Sequence, residues 1–150
     1  MTQQANSEAF PDDAAIEQVA LAMLDRSLPK EAWTHAAHFA TSLWLWRHRP
    51  DFAATGGIGP AIRAYNEAVG GVNSDEAGYH ETITVASMAA ARRFMAGFGE
   101  DVPLHEILAA LVASPLGRTD WLLAYWSRDR LFSVAARRGW VEPDLMALPT

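Results

Sequence analysis

Two short stretches bring together the imidazole, carboxylate and phenol side chains that could carry chemistry. The first contains His35 and His38, and the second contains the consecutive residues Tyr79, His80 and Glu81. Residues three apart share one face of a helix, so His35 and His38 would point the same way. Each stretch stands directly before an apolar run. We therefore predict that both lie at helix N-termini and line one shared pocket.

A metal site is one chemistry that these histidines could provide. His35 and His38 could supply two nitrogen ligands to a divalent metal ion, and His80 from a facing helix could supply a third. An open fourth position would activate water, with Glu81 as general base or additional ligand. However, His80 and Glu81 lie about 100° apart on a regular helix, so both face one centre only if the first turn is irregular. Neither His-Glu-x-x-His nor paired Glu-x-x-His is present, and the chain contains no cysteine.

Acid–base catalysis without a metal is the second chemistry. A histidine near a carboxylate titrates close to neutral pH and can move protons to or from a bound substrate. We expect His80 to be the acid or base and Glu81 or His38 to orient it, with His35 in the same catalytic group. Helix N-termini favour an anionic or carbonyl group, so a lyase, isomerase or hydrolase reaction on a small polar substrate fits. The predicted substrate-binding residues are the hydrogen-bond donors Tyr65, Asn66 and Tyr79 and the aromatic walls Trp33, Phe39 and Trp44.

Purely structural histidines are the alternative interpretation. Backbone carbonyls and tyrosines would then satisfy the imidazoles, and the protein would be a non-catalytic ligand-binding or protein-interaction module. Burying a polar group without a partner costs about 1–3 kcal/mol, so a fold that needs only a core would place leucine at such positions. The clustering therefore favours a functional pocket. Six tryptophans could form an interface as well as a core, which is compatible with a homodimer.

The elements that must position these residues are helices. Apolar residues recur at helical spacing along most of the chain, and no stretch reads convincingly as a strand. We predict an all-α fold, a compact single-domain bundle of five to six helices with an extended C-terminal tail. Residues 1–11 are expected to form a flexible N-terminus, and residues 12–150 the single helical domain.

Two helix starts matter most for the site. Thr34 is a good N-cap, and Trp33 before it with His38 in the fourth helical position predicts a hydrophobic staple. This helix should run to about His48, and it should be central in the bundle because it is apolar nearly all round. The other helix should begin at about Tyr79, directly after a glycine-rich loop.

The remaining segments are predicted from helix start and stop signals. The central helix should be followed by a loop at residues 51–59, and Pro60 should start the next helix. Residues 70–78 should form a second glycine-rich loop with turn-forming side chains. Ser127 should cap a last helix that ends at Gly139.

Composition narrows the classes of function. The formal net charge of −6 argues against general nucleic-acid binding, which needs a clustered basic face. The N-terminus lacks the basic and then apolar build of a signal peptide, and no run approaches the ~18 apolar residues of a membrane span. We therefore expect a soluble, cytoplasmic protein whose partner is a small molecule rather than a nucleic acid or a membrane.

Four sequence motifs are spread over about the last four-fifths of the chain. They are Trp-Thr-His-x-x-His at 33–38, Tyr-Asn-Glu-x-x-Gly at 65–70, Gly-Tyr-His-Glu-Thr-Ile-Thr at 78–84 and Gly-Trp-Val-Glu-Pro-Asp-Leu at 139–145. In combination they resemble an uncharacterised family of small all-helical microbial proteins. The resemblance implies a common fold and a common site near these residues, and it brings no reaction with it.

Overall fold

Helices make up the regular structure of this chain. The computed structural model describes residues 10–149, and that range contains no strand and no helix with the length and apolar content to cross a bilayer. The eight α-helices in this range are α1 (Asp13–Leu24), α2 (His35–His48), α3 (Pro50–Ala54), α4 (Ile58–Ala68), α5 (Glu81–Met95), α6 (Leu104–Ala113), α7 (Arg128–Leu131) and α8 (Val134–Arg138). Short 3₁₀ turns occur at Lys30–Ala32, Pro115–Gly117 and Trp121–Ala124. The predicted all-α, single-domain bundle is confirmed, and its five helices of ten or more residues form the body.

Helix α2 lies at the centre of the bundle, as its apolar sequence predicts. Nine of its residues are buried, and it packs against α1, α5 and α6. At its start, Thr34 Oγ1 accepts a hydrogen bond from the backbone N–H of Ala37 at 3.2 Å, which confirms the predicted N-cap. The Trp33 ring stacks on the His38 ring with their centroids 3.9 Å apart, so the predicted staple is also present.

Helix α5 begins two residues later than predicted, because His80 is its N-cap. The Nδ1 atom of His80 accepts a hydrogen bond from the backbone N–H of Ile83 at 3.1 Å. In the first turn, the buried Thr82 hydroxyl donates to the backbone carbonyl of Gly139 at 2.9 Å. The start of α5 is therefore tied both to its own first turn and to the C-terminal part of the chain.

The segment after α2 is helical where a loop was predicted, so that prediction is wrong. Pro50 occupies the first position of α3, where its fixed φ suits a helix and its missing N–H breaks no hydrogen bond. Helix α4 then begins at Ile58, two residues ahead of Pro60. The proline that ends the central helix thus starts the next one.

The C-terminal helical region is divided where one helix was predicted. Ser127 caps α7, as expected, by accepting a hydrogen bond from the N–H of Arg130 at 3.3 Å. Ser133 has an extended backbone and caps α8 by accepting from the N–H of Ala136 at 3.1 Å. The prediction of a single last helix is wrong because a second serine offers its side chain to the backbone and starts a new helix.

Residues 140–149 form the predicted extended tail, which lies over the C-terminal helical region. The Nε1–H group of Trp126 donates to the carbonyl of Val141 at 3.0 Å. The backbone N–H of Leu145 donates to the carbonyl of Tyr125 at 2.9 Å. These bonds between distant positions fix the tail against the bundle.

The predicted flexible N-terminus falls mostly outside the described residues. Residues 1–9 lie outside them, so that part of the prediction is not addressed by the structure. Phe10, where the description begins, is buried in the hydrophobic core. The core therefore extends into the segment that precedes α1.

Candidate functional site

A cavity of about 560 Å³ lies between the start of α2, helix α4, the loop at residues 70–78 and the first half of α5. We call it the His38 cavity. Its size falls within the range typical of small-molecule sites. Apolar side chains form most of its wall, among them Ile62, Ile83 and Met88. Among the described residues that line it, Lys30 is the only charged side chain and none is acidic.

His38 is open to solvent on one side and packs against Trp33 on the other. The side chain is exposed and borders the cavity, while its ring packs face to face on Trp33. The protein packed against the ring, and then the nearby His35, lower the pKa of His38 below its usual 6.5. No group among residues 10–149 forms a hydrogen bond with its ring nitrogens. At neutral pH His38 is therefore an uncharged imidazole with one donor and one acceptor available to a ligand.

His80 lines the same cavity, but both of its ring nitrogens are used. Nδ1 accepts from Ile83, so the ring proton is on Nε2, which donates to the carbonyl of Leu131 at 2.7 Å. The side chain is 7% exposed, and burial lowers its pKa below 6.5, assisted by Arg137 and opposed by the Leu131 carbonyl. His80 is therefore a neutral capping group. This geometry leaves no ring nitrogen free for the acid–base role predicted for it.

Glu81 faces a different space from His80, which precedes the first turn of α5 as its N-cap. It borders a groove of about 660 Å³ that also includes Trp46 and Arg92, and it does not line the His38 cavity. The hydroxyl of Tyr79 donates to Glu81 Oε1 at 2.6 Å. Burial, followed by this contact, raises the pKa of Tyr79, so the phenol keeps its proton. Glu81 therefore pairs with Tyr79 and is separated from the histidines.

The third histidine of the predicted cluster points elsewhere. The Nε2–H group of His35 donates to the carbonyl of Leu116 at 2.8 Å, and its ring lies edge-on to Phe39. His35 does not line the cavity, so only His38 and His80 share it. Within residues 10–149 no group of three or more histidine, aspartate or glutamate side chains could hold a metal ion.

Four of the six predicted substrate-binding residues line the cavity. Trp33 and Tyr79 contribute aromatic walls. Tyr65 also lines it, but its hydroxyl donates to the carbonyl of Leu28 at 3.0 Å. Asn66 lines it with its amide nitrogen already donating to another side chain of the loop. These residues therefore shape the cavity more than they offer free donors to it.

The other two predicted wall residues belong to the core of the bundle. Phe39 is buried, with its ring near those of His35 and Trp121. Trp44 is buried too, and its Nε1–H group donates to Glu17 on α1 at 3.3 Å. Neither lines the His38 cavity, because they project from other faces of α2.

Two residues that shape the site were not singled out from the sequence. Lys30 supplies the cavity's positive charge from the 3₁₀ turn before α2. Asn73 fixes the loop: its Oδ1 atom accepts from Asn66 and from the N–H of Tyr79 at 2.9 Å, and its Nδ2 atom donates to the carbonyl of Arg63 at 3.0 Å. An asparagine between the Gly70-Gly71 pair and Gly78 was a signal for a turn, though not for which groups it would join.

Comparison with known proteins assigns no family and no function to this chain. The chain matches no family model, no curated protein and no solved structure. The resemblance to small helical microbial proteins therefore stays a prediction.

Proposed function

We propose that this protein binds a small organic anion or carbonyl compound in the His38 cavity and that His38 exchanges a proton with it. The observation that carries the proposal is a neutral imidazole, free of protein hydrogen bonds within residues 10–149, in a largely apolar cavity of ligand size.

Lys30 supports an anionic or electron-rich ligand. Lys30 borders a cavity whose described lining contains no carboxylate. Trp33 directly follows the 3₁₀ turn that contains Lys30, and the Trp33 ring stacks on the His38 ring. An apolar body packed against the isoleucines with a polar end near Lys30 and His38 would satisfy both the apolar walls and the charge.

The pKa of His38 relates binding to proton transfer. With its lowered pKa, the free imidazole is a weak base at neutral pH. A bound anion stabilises the imidazolium and raises this pKa toward neutrality, where acid–base catalysis is most effective. The neutral ring can also donate a hydrogen bond to a carbonyl oxygen, while Lys30 stabilises the negative charge that develops there.

The proposal is tested by NMR titration of the histidine ring signals with and without ligand. Probes are small carboxylates, 2-oxo acids and aldehydes, together with amines of matched size. We expect anionic or carbonyl probes to bind and to raise the pKa of His38, and Lys30→Met to weaken binding of the anions by about tenfold. Preferential binding of the amines, or an unchanged His38 pKa in the complex, would contradict the proposal.

Catalysis itself is tested with a conservative change. His38→Gln keeps a polar side chain of similar size and should lower turnover of a bound probe by about 10²-fold or more while binding persists. His48→Gln, at the exposed end of α2, is the matched control. Equal turnover in wild type and His38→Gln argues against a catalytic role.

A non-catalytic ligand-binding module is the second candidate. It is favoured by the fact that His35 and His80 each donate to a backbone carbonyl, as structural histidines do. Under this alternative, His38→Gln changes affinity, and no probe is converted by the wild type.

A further inference from the structure

A second, smaller depression of about 210 Å³ lies beside the loop at residues 70–78. We call it the arginine depression. Three arginines and one aspartate line it, Arg63, Arg137, Arg138 and Asp75, so positive charge is in excess in a protein whose net charge is −6.

The arginines hold hydrogen-bond donors that the described protein groups do not use. The guanidinium of Arg63 lies over the Tyr79 ring at 4.8 Å from its centroid and forms no hydrogen bond with residues 10–149. The Nη1 group of Arg137 donates to the backbone carbonyls of Gly78 and Tyr79 at 3.0 and 3.3 Å. Its Nε and Nη2 groups form no hydrogen bond with residues 10–149. An anion in the depression would therefore meet several donors at once.

Arg138 and Ser74 add to this set. Arg138 makes a two-pronged contact with Asp75 through Nε and Nη2 at 2.8 and 2.7 Å, which leaves its Nη1 group. Ser74 Oγ accepts from the N–H of Glu76 at 3.3 Å, so its own proton is free to be donated. Asp75 is the single acidic group in the described lining, and Arg138 already pairs with it.

We propose that the arginine depression binds a tetrahedral oxyanion, either inorganic phosphate or a phosphate monoester. Guanidinium groups match phosphate oxygens in both charge and geometry, and donors from several directions suit a tetrahedral anion better than a planar carboxylate. The depression is smaller than a typical organic-ligand pocket, which restricts it to an anion with at most a small substituent.

The loop at residues 70–78 borders both the arginine depression and the His38 cavity, so a bound oxyanion would contact a loop that also forms part of the cavity wall. Residues 73–75 line the depression, while Gly71, Val72, Ala77 and Gly78 line the cavity. The site does not depend on the function proposed for the cavity, because none of its arginines lines that cavity.

The test measures dissociation constants for inorganic phosphate and methyl phosphate by isothermal titration calorimetry at constant ionic strength, with acetate as the planar-anion comparison. Wild type should bind phosphate or its monoester saturably and more tightly than acetate. Tighter binding of methyl phosphate assigns the site to a phosphorylated ligand, and tighter binding of inorganic phosphate assigns it to the free ion.

Two variants should move affinity in opposite directions. Arg63→Gln removes a cation and should weaken binding about tenfold. Asp75→Asn removes the competing carboxylate and releases Arg138, so it should tighten binding about threefold or more. A residue with a merely structural role would not produce a gain.

The chain offers a matched control for the gain. Arg118 contacts Asp120 through the same two nitrogens at 3.0 and 3.3 Å, and both are exposed. Asp120→Asn releases an arginine outside the depression and should leave phosphate affinity unchanged. Absence of saturable binding, failure of Asp75→Asn to tighten it, or an equal gain in Asp120→Asn would each overturn the proposal. Circular dichroism establishes that every variant is folded.

Discussion

Two residues of the same type have different roles in the His38 cavity. His38 and His80 both line it and both have a lowered pKa, so both are neutral near pH 7. His80 is held by Ile83 and Leu131, whereas His38 contacts Trp33 only through the faces of the rings. Hydrogen-bond partners, rather than residue type or position at a helix start, decide which imidazole keeps ring nitrogens that no described protein group uses.

The capping role of His80 predicts a specific loss of stability. His80→Ala removes the acceptor for Ile83 and leaves the Leu131 carbonyl without its partner. We expect the free energy of unfolding to fall by about 2–3 kcal/mol, from the lost cap and the unpaired buried carbonyl together. Asparagine is a good N-cap, so His80→Asn should lose about half as much. Urea denaturation measures both changes, with the wild type and the two variants fitted with the same dependence of the unfolding free energy on urea concentration.

His48→Ala is the control for this comparison. His48 lies exposed in the last turn of α2, and its replacement should change the free energy of unfolding by no more than about 0.5 kcal/mol. If His80→Ala is as mild as His48→Ala, the cap is not important for stability.

At the scale of elements, the loop at residues 70–78 depends on two glycines in different ways. Gly70 and Gly78 both have positive φ, at 88° and 84°. A Cβ atom at Gly70 would meet no atom within 4 Å, but at Gly78 it would lie 2.5 Å from the Val72 carbonyl oxygen and 2.7 Å from Asn73 Oδ1. Gly78 therefore serves both backbone conformation and close packing.

Alanine at these two positions separates the two effects. Gly70→Ala should cost about 1–2 kcal/mol of unfolding free energy, because only the left-handed conformation is strained. Gly78→Ala should cost at least about 1 kcal/mol more, since the loop must also move away from the new methyl group. Urea denaturation of the two variants side by side measures the difference. Equal losses would show that packing around Gly78 is unimportant.

The elements predicted well are those whose signals are local. The Thr34 cap and the Trp33–His38 staple involve residues three to five apart, so spacing alone identified them. The helix at Pro50 was missed because proline both ends and starts helices. The use of both ring nitrogens of His80, unlike the free ring of His38, could not be predicted, since it depends on a carbonyl 51 residues further along the chain.

At the scale of the whole molecule, neutral histidines and paired carboxylates respond to acid in different ranges. The pKa values of His38 and His80 are lowered from 6.5, so the unfolded chain binds more protons than the folded protein below that pH. Hydrogen bonds from Arg138 and Ser127 lower the pKa values of Asp75 and Asp144 from 3.8. The stability that these carboxylates contribute is lost only in more acidic solution.

The unfolding free energy should therefore fall as the pH is lowered from about 6.5 toward 4. His38 and His80 stay uncharged in the folded state. Protonation of these histidines in the unfolded chain therefore shifts the equilibrium toward the unfolded state. Urea denaturation between pH 7.5 and about 4.5 measures the slope, which His38→Gln and His80→Asn should each reduce. A flat profile over this range, or unchanged slopes in both variants, would contradict the neutral state of these rings.

The anchoring of α5 has a consequence for synthesis of the protein. The carbonyls of Leu131 and Gly139 receive hydrogen bonds from the first residues of this helix, and the N–H of Val141 donates to Thr82. A nascent chain on the ribosome makes α5 long before those partners have been translated. The α5 wall of the His38 cavity therefore gains these contacts only after residues 131–141 have been synthesised and have left the exit tunnel, when they join a bundle that is already forming.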